Sequence, residues 1–154
     1  MENHFGQPIG ETLDWHGATP PPRTTLTGQY CAIVPMDLSH AEDLFNATRL
    51  DPDGRNWTYL FEEPFDSLAD FTDWVRVKSQ SKDPFFQTII SAETRKAVGY
   101  ASLMRIDPAM GTIEIGNIHL SPALQRSRAG TEAWLDLANF DESGQQFSRL
   151  HNNT

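Results

Sequence analysis

The sequence predicts an α/β domain of the α+β kind: a mixed, largely antiparallel central sheet with helices packed on it. Three observations carry this reading. A β-branched and aromatic run begins near residue 29, two stretches of helical periodicity follow it, and three strand-like runs joined by polar loops come next. With 154 residues, 38% of them apolar, the chain is long enough for one core.

Residues 1–27 are rich in Gly, Pro and Thr and include Pro20-Pro21-Pro22, so they cannot form a regular helix and read as an extended arm. That arm is either a flexible leader or a strap fastened by Phe5, Ile9, Leu13 and Trp15. The domain proper is expected over 28–140. Its first strand is Gln29 to Val34, closed by Pro35. Ser39-His40-Ala41-Glu42 has capping-box spacing and opens a helix with Ala41, Leu44, Phe45 and Thr48 on one face. Asp51-Pro52-Asp53-Gly54 stops it, and the aromatic segment Trp57 to Phe61 follows. Ser67 then caps a second helix whose stripe is Leu68, Phe71, Trp74 and Val75. Strands are expected at Phe85 to Ala92, Val98 to Ile106 and Thr112 to Leu120, and a third helix with Ala129, Ala133, Leu137 and Phe140 on one stripe. Residues 141–154 are polar, lack a period and read as a loose tail.

Composition removes several function classes. Twelve Lys and Arg against 21 Asp and Glu give a net charge of −9, which argues against a general nucleic-acid binder and against adsorption on anionic membranes. A local anion site remains open, because a few amides and one or two arginines suffice for it. The single cysteine, Cys31, cannot form an internal disulfide and reads as a small core residue. With no secretory-type apolar stretch near the start and no long apolar run, a cytoplasmic protein is the expectation. Scattered histidines and no compact ligand spacing give no expectation of a metal site.

The stretch that carries chemistry is Thr112 to Ala133: a strand, a Ser121-Pro122 break, a short loop and a helix N-terminus preceded by Arg126 and Arg128. Unpaired amides and the helix dipole at such an end attract phosphate. The alternative is a solvated loop.

This block resembles the GNAT superfamily of acetyl-CoA-dependent N-acetyltransferases, and most of all the branch containing ribosomal-protein alanine acetyltransferase-like enzymes. Phe5-Gly6-Gln7-Pro8-Ile9-Gly10, Pro20-Pro21-Pro22-Arg23, Trp57-Thr58-Tyr59-Leu60 and Gly99-Tyr100-Ala101-Ser102 resemble a subgroup of it, so the likeness covers about residues 5 to 137. It implies acetyl transfer from acetyl-CoA, as cosubstrate, to a primary amine on a protein N-terminus or small molecule. It also implies that the backbone around Ile118, His119 and Leu120 pairs with the pantetheine arm. The loop Gln125-Arg126-Ser127-Arg128-Ala129-Gly130, with Thr131, would cradle the pyrophosphate, although Arg128 stands at the usual first glycine position. Glu114 is the candidate base; its alternatives are an exposed strand carboxylate or a partner for Arg105. Regular alternation places His119 on the face opposite Glu114, which a bulge would change.

Between Ala41 and Asp73 nine acids stand against Arg49 and Arg55, a potential that would draw an amine. Trp57 and Tyr59 are candidate acceptor-site residues, with core packing as the alternative. The resemblance also implies further strands beyond the third helix, which residues 141–154 do not resemble. The expectation is therefore a C-terminally truncated domain, impaired as an enzyme, or a noncatalytic remnant that binds CoA weakly or joins another copy or partner through an open sheet edge.

Overall fold

The computed structural model describes residues 1–138 and 149–152. The strands are β1 (Leu26–Thr27), β2 (Cys31–Pro35), β3 (Phe85–Ser91), β4 (Ala97–Asp107), β5 (Thr112–Leu120) and β6 (Arg149–Asn152). The helices are α1 (Ala41–Thr48), α2 (Leu68–Ser79) and α3 (Arg128–Ala138). The strands form one sheet in the order β1-β2-β3-β4-β5-β6, antiparallel throughout except for the parallel pair β5–β6.

Helix α2 follows its sequence signals closely. The Ser67 hydroxyl accepts from the Asp70 amide at 3.1 Å, and Phe71 and Val75 are fully buried, each burial stabilising by about 1.5–3 kcal/mol. The N-terminus of α1 differs from expectation. Asp37, not Ser39, supplies the cap: its carboxylate accepts from the Ser39 amide and hydroxyl at 2.9 and 2.6 Å, opening a 3-10 turn at Leu38–His40. Both side chains can cap, and the carboxylate is the stronger acceptor. The segment at Trp57 is a 3-10 turn, Arg55–Trp57.

Two cores cover the two faces of the sheet. Beneath α3 lie Cys31, Ile33, Phe85, Ile89, Leu103, Ile113 and Ile115 with Leu124, Ala133 and Leu137. Beneath α1 and α2 lie Met36, Leu44, Phe45, Trp57, Phe71, Val75, Phe86 and Tyr100. Phe140, assigned to the α3 stripe from sequence, lies outside the described residues.

The arm is a strap, but of the four residues expected to fasten it only Trp15 does so. Phe5, Ile9 and Leu13 face solvent, whereas the Trp15 indole donates to the Ala109 carbonyl at 2.6 Å and the Ala18 amide to the Pro108 carbonyl at 2.7 Å. Arg23 donates to the Ser79 carbonyl and stacks over Phe85, and β1 then joins the sheet beside β2.

The expected loose tail has a correction at four residues. Strand β6 pairs in parallel with β5, from Thr112 opposite Arg149 to Ile115 opposite Asn152. The rest of 141–154 lies outside the described residues. Beyond Ile115, the half of β5 from Gly116 to Leu120 has only β4 as a strand partner among the described residues.

Candidate active site

Two bulges decide which side chains share a face. Between Tyr100–His119 and Ser102–Gly116, β5 carries an extra residue, and Asn117 there has φ +48°. Its side-chain amide donates to the Ser102 hydroxyl at 2.8 Å, which in turn donates to the Gly116 carbonyl at 3.2 Å. Because Glu114 pairs with Met104 and His119 with Tyr100, the bulge brings Glu114 and His119 to the same face, correcting the alternation expected from a flat strand. The second bulge, at Arg105 with φ +49°, lies in β4 between Met104–Glu114 and Asp107–Thr112.

Glu114 is buried, and Arg105 Nη1 lies 3.0 Å from its Oε2. The partner suggested by sequence is therefore in place, and the exposed-carboxylate alternative is not. His119 is packed between the rings of Trp57 and Tyr100, at centroid distances of 4.8 and 5.3 Å. Burial pushes its imidazole down to about 4 and holds the Tyr100 phenol well above its ordinary range. His119 Nε2 and the Tyr100 hydroxyl are both buried without a hydrogen-bond partner among the described residues.

The loop before α3 has the form an anion site needs. Ser127 is the cap: its hydroxyl accepts from the Gly130 amide at 3.0 Å and donates to the Leu124 carbonyl at 2.6 Å. Arg126 has φ +56°. Among the described residues, the amides of Arg126, Arg128 and Ala129 donate to no protein group. They lie at the positive end of the α3 dipole. Gly130 is required by close approach, since an added Cβ would lie 2.4 Å from the Leu124 carbonyl oxygen. Thr131 is already within the helix, its amide on the Ser127 carbonyl at 3.2 Å.

Other expected cofactor groups are already engaged. The Gln125 side chain turns inward, donating to Asn56 Oδ1 at 2.8 Å and to the Leu120 carbonyl at 2.9 Å. Asn56, which sequence reading overlooked, also donates to Leu120, so that carbonyl is satisfied within the protein. Arg128 leans away from the loop onto Tyr30, within 3.3 Å of its hydroxyl. Ser127, Arg128 and Ala129 border a cavity of about 640 Å³ whose other walls include Gln29, Tyr30, Ser91 and Thr94. The N-terminus of α3 therefore borders a cavity that lies toward β2 and the β3–β4 hairpin.

Trp57 and Tyr59 separate. Trp57 is buried and borders a cavity of about 340 Å³ with Arg49, Asp51, Phe65 and Asp66, while Tyr59 is 96% exposed and outside it. On the other face, Cys31, Glu132 and Asp136 bring a thiol and two carboxylates within 4.8 Å. Burial, with Glu132 beside it, pushes the Cys31 thiol up to about 12. Desolvation raises the Glu132 carboxyl, but the amides of Gln29, Tyr30 and Cys31, at 2.6, 2.6 and 2.8 Å, outweigh it and hold the group below its ordinary range. Its oxygens already accept from those three amides, which suits a structural clasp better than a metal ligand.

Comparison with solved structures fixes the architecture. A GCN5-related N-acetyltransferase from Brucella melitensis is 35% identical, with a TM-score of 0.80 over 84% of this chain and 60% of that one. A probable acetyltransferase of the GNAT family from Chromobacterium violaceum is 27% identical, with a TM-score of 0.77 over 94% of this chain and 74% of that one. The fold is that of the GNAT acetyltransferases. The microcin C7 self-immunity acetyltransferase MccE, in complex with acetyl-CoA and AMP, shares this GNAT fold at 20% identity, with a TM-score of 0.66 over 81% of this chain and 69% of that one. The chain spans 60% of the length of the Brucella structure. No family model and no curated protein matches the sequence. No helix among the described residues is long and apolar enough to cross a membrane.

Proposed function

We propose that the protein is an N-acetyltransferase of the ribosomal-protein alanine acetyltransferase-like branch, moving an acetyl group from acetyl-CoA to a primary amine. The observation that carries the reading is the pairing of two features at one place. The half of β5 beyond Ile115 has an outer edge without a strand partner among the described residues, and it leads into a loop and helix N-terminus with three open amides. Support comes from the GNAT fold, including a neighbour whose structure holds acetyl-CoA.

In this reading the amides of Arg126, Arg128 and Ala129 hold the pyrophosphate, and the backbone of Ile118 and His119 offers the edge along which the pantetheine arm lies. Acetyl-CoA would supply the thioester. The amine nitrogen would bond to the thioester carbonyl carbon as its proton passes to Glu114, directly or through water. The C–S bond would then break, CoA leaving as a thiolate that takes up a proton; Arg105 fixes the Glu114 carboxylate. The cavity bordered by Trp57, Arg49, Asp51 and Asp66 receives the amine, its two acids outnumbering the one arginine and its aromatic wall adding cation–π attraction. Tyr59 would contribute only at the rim.

Calorimetric titration with acetyl-CoA, followed by detection of free CoA with a panel of primary amines, tests the proposal. Binding with turnover that falls by about a hundredfold or more in Glu114→Gln at neutral pH is the expected result. Binding without release of CoA would instead favour the noncatalytic alternative. No binding would remove both.

A further inference from the structure

We propose that Asp83 is a positioning residue for Glu114, acting through Arg105 and the bulge in β4. The role of Glu114 rests on the acetyl-transfer reading; how its carboxylate is held does not. Asp83 lies in the loop between α2 and β3. One of its carboxylate oxygens accepts from the Arg105 amide at 2.9 Å and the other from the Ile106 amide at 3.1 Å. These two amides flank the backbone turn at which Arg105 takes φ +49°. A bulky L-residue keeps that conformation only when its surroundings hold it.

The bulge changes where side chains point. Leu103 and Ile106 both pack on the α3-side core although they stand three residues apart, which a flat strand forbids. The extra residue is absorbed at Arg105, which then lies with Met104 on the face of Glu114 rather than on the opposite one. From there its guanidinium reaches Glu114 Oε2 at 3.0 Å. Both of these Asp83 contacts are to backbone amides. Its carboxylate holds the backbone that aims Arg105 at Glu114.

The test compares wild type, Asp83→Ala, Arg105→Gln and the double variant by two readouts. The first is kcat and KM for acetyl-CoA with the amine panel; the second is the Glu114 Cδ resonance at neutral pH. Each single substitution is expected to lower kcat by about tenfold with KM for acetyl-CoA unchanged. The double variant should be no slower than Arg105→Gln alone, because both act through one contact. The Glu114 resonance should move alike in both single variants. Losses that multiply in the double variant, or an unmoved resonance in Asp83→Ala, would overturn the proposal. If Asp83→Ala does not fold, Asp83→Asn, which keeps one acceptor oxygen, is judged by the same criteria. If wild type releases no CoA with any amine, the acetyl-transfer reading fails and the resonance alone decides the positioning role.

Discussion

The Asn117 side-chain amide donates to the Ser102 hydroxyl at 2.8 Å, across the strand pair at the point where β5 carries one residue more than β4. This bond closes the bulge that turns His119 onto the face of Glu114. Asn117→Ala removes it and leaves an alanine in the left-handed region, a combined cost of about 2 kcal/mol. Asn117→Gly accepts the backbone and should recover about half of that. Urea unfolding of the two variants measures the difference; equal stabilities would show that the backbone there relaxes freely.

Glu132 clasps α3 to the start of β2 through the amides of Gln29, Tyr30 and Cys31, and Gly28 leaves room for its carboxylate. An added Cβ at Gly28 would lie 2.4 Å from Glu132 Cδ, and that carboxylate is held by three amides and cannot swing aside without breaking them. Gly28→Ala and Glu132→Ala should each cost about 2 kcal/mol, and the double variant little more than either. Chemical denaturation of the cycle is the check. The Glu132 carboxyl is lowered in the folded state, so its contribution is present above the ordinary value of 4.5 and fades as pH falls through the lowered one. Wild type and Glu132→Gln should therefore converge in acid.

His119 acts over a different pH window. Its folded value of about 4 lies below the ordinary 6.5, so the unfolded chain binds the proton first as pH falls. Stability is full above 6.5 and declines below it, by about 2 kcal/mol between pH 7 and pH 5. In His119→Gln that pH-dependent part should vanish, whatever the cost of the substitution at pH 7. An identical slope in both proteins over this range would place the titration elsewhere.

The loop before α3 separates fold from binding. Arg126→Gly suits the φ of +56° and should stabilise by a few tenths to 1 kcal/mol. Gly130→Ala forces a Cβ against the Leu124 carbonyl and should displace the open amides, weakening acetyl-CoA binding by more than about tenfold. Calorimetry on folded variants reads both. Unchanged affinity in Gly130→Ala would move the anion site away from this turn.

Local signals made much of the fold legible. Ser67 ahead of a 3.6-residue stripe gave α2, and polar loops between β-branched runs gave the β3–β4–β5 meander. The partnership of Glu114 with Arg105 followed from adjacent strands. What could not be read was the sharing of faces, because a bulge reverses the parity of every residue beyond it. Gly116-Asn117 inside a strand was a usable hint of one bulge. Nothing local marks the other, since Arg105 is held by Asp83 from a separate loop. The clasp of Glu132 on β2 and the inward turn of Gln125 onto Asn56 are likewise long-range contacts. Strand β6 has no apolar pattern of its own and is visible only through its pairing with β5.

Backbone amide NMR during an acetyl-CoA titration addresses the site itself. The amides of Arg126, Arg128 and Ala129 should shift together with Ile118 and His119, as a ligand lying along the outer edge of β5 requires. Shifts confined to Gln29, Tyr30, Ser91 and Thr94, around the cavity on the β2 side of the α3 N-terminus, would contradict that placement.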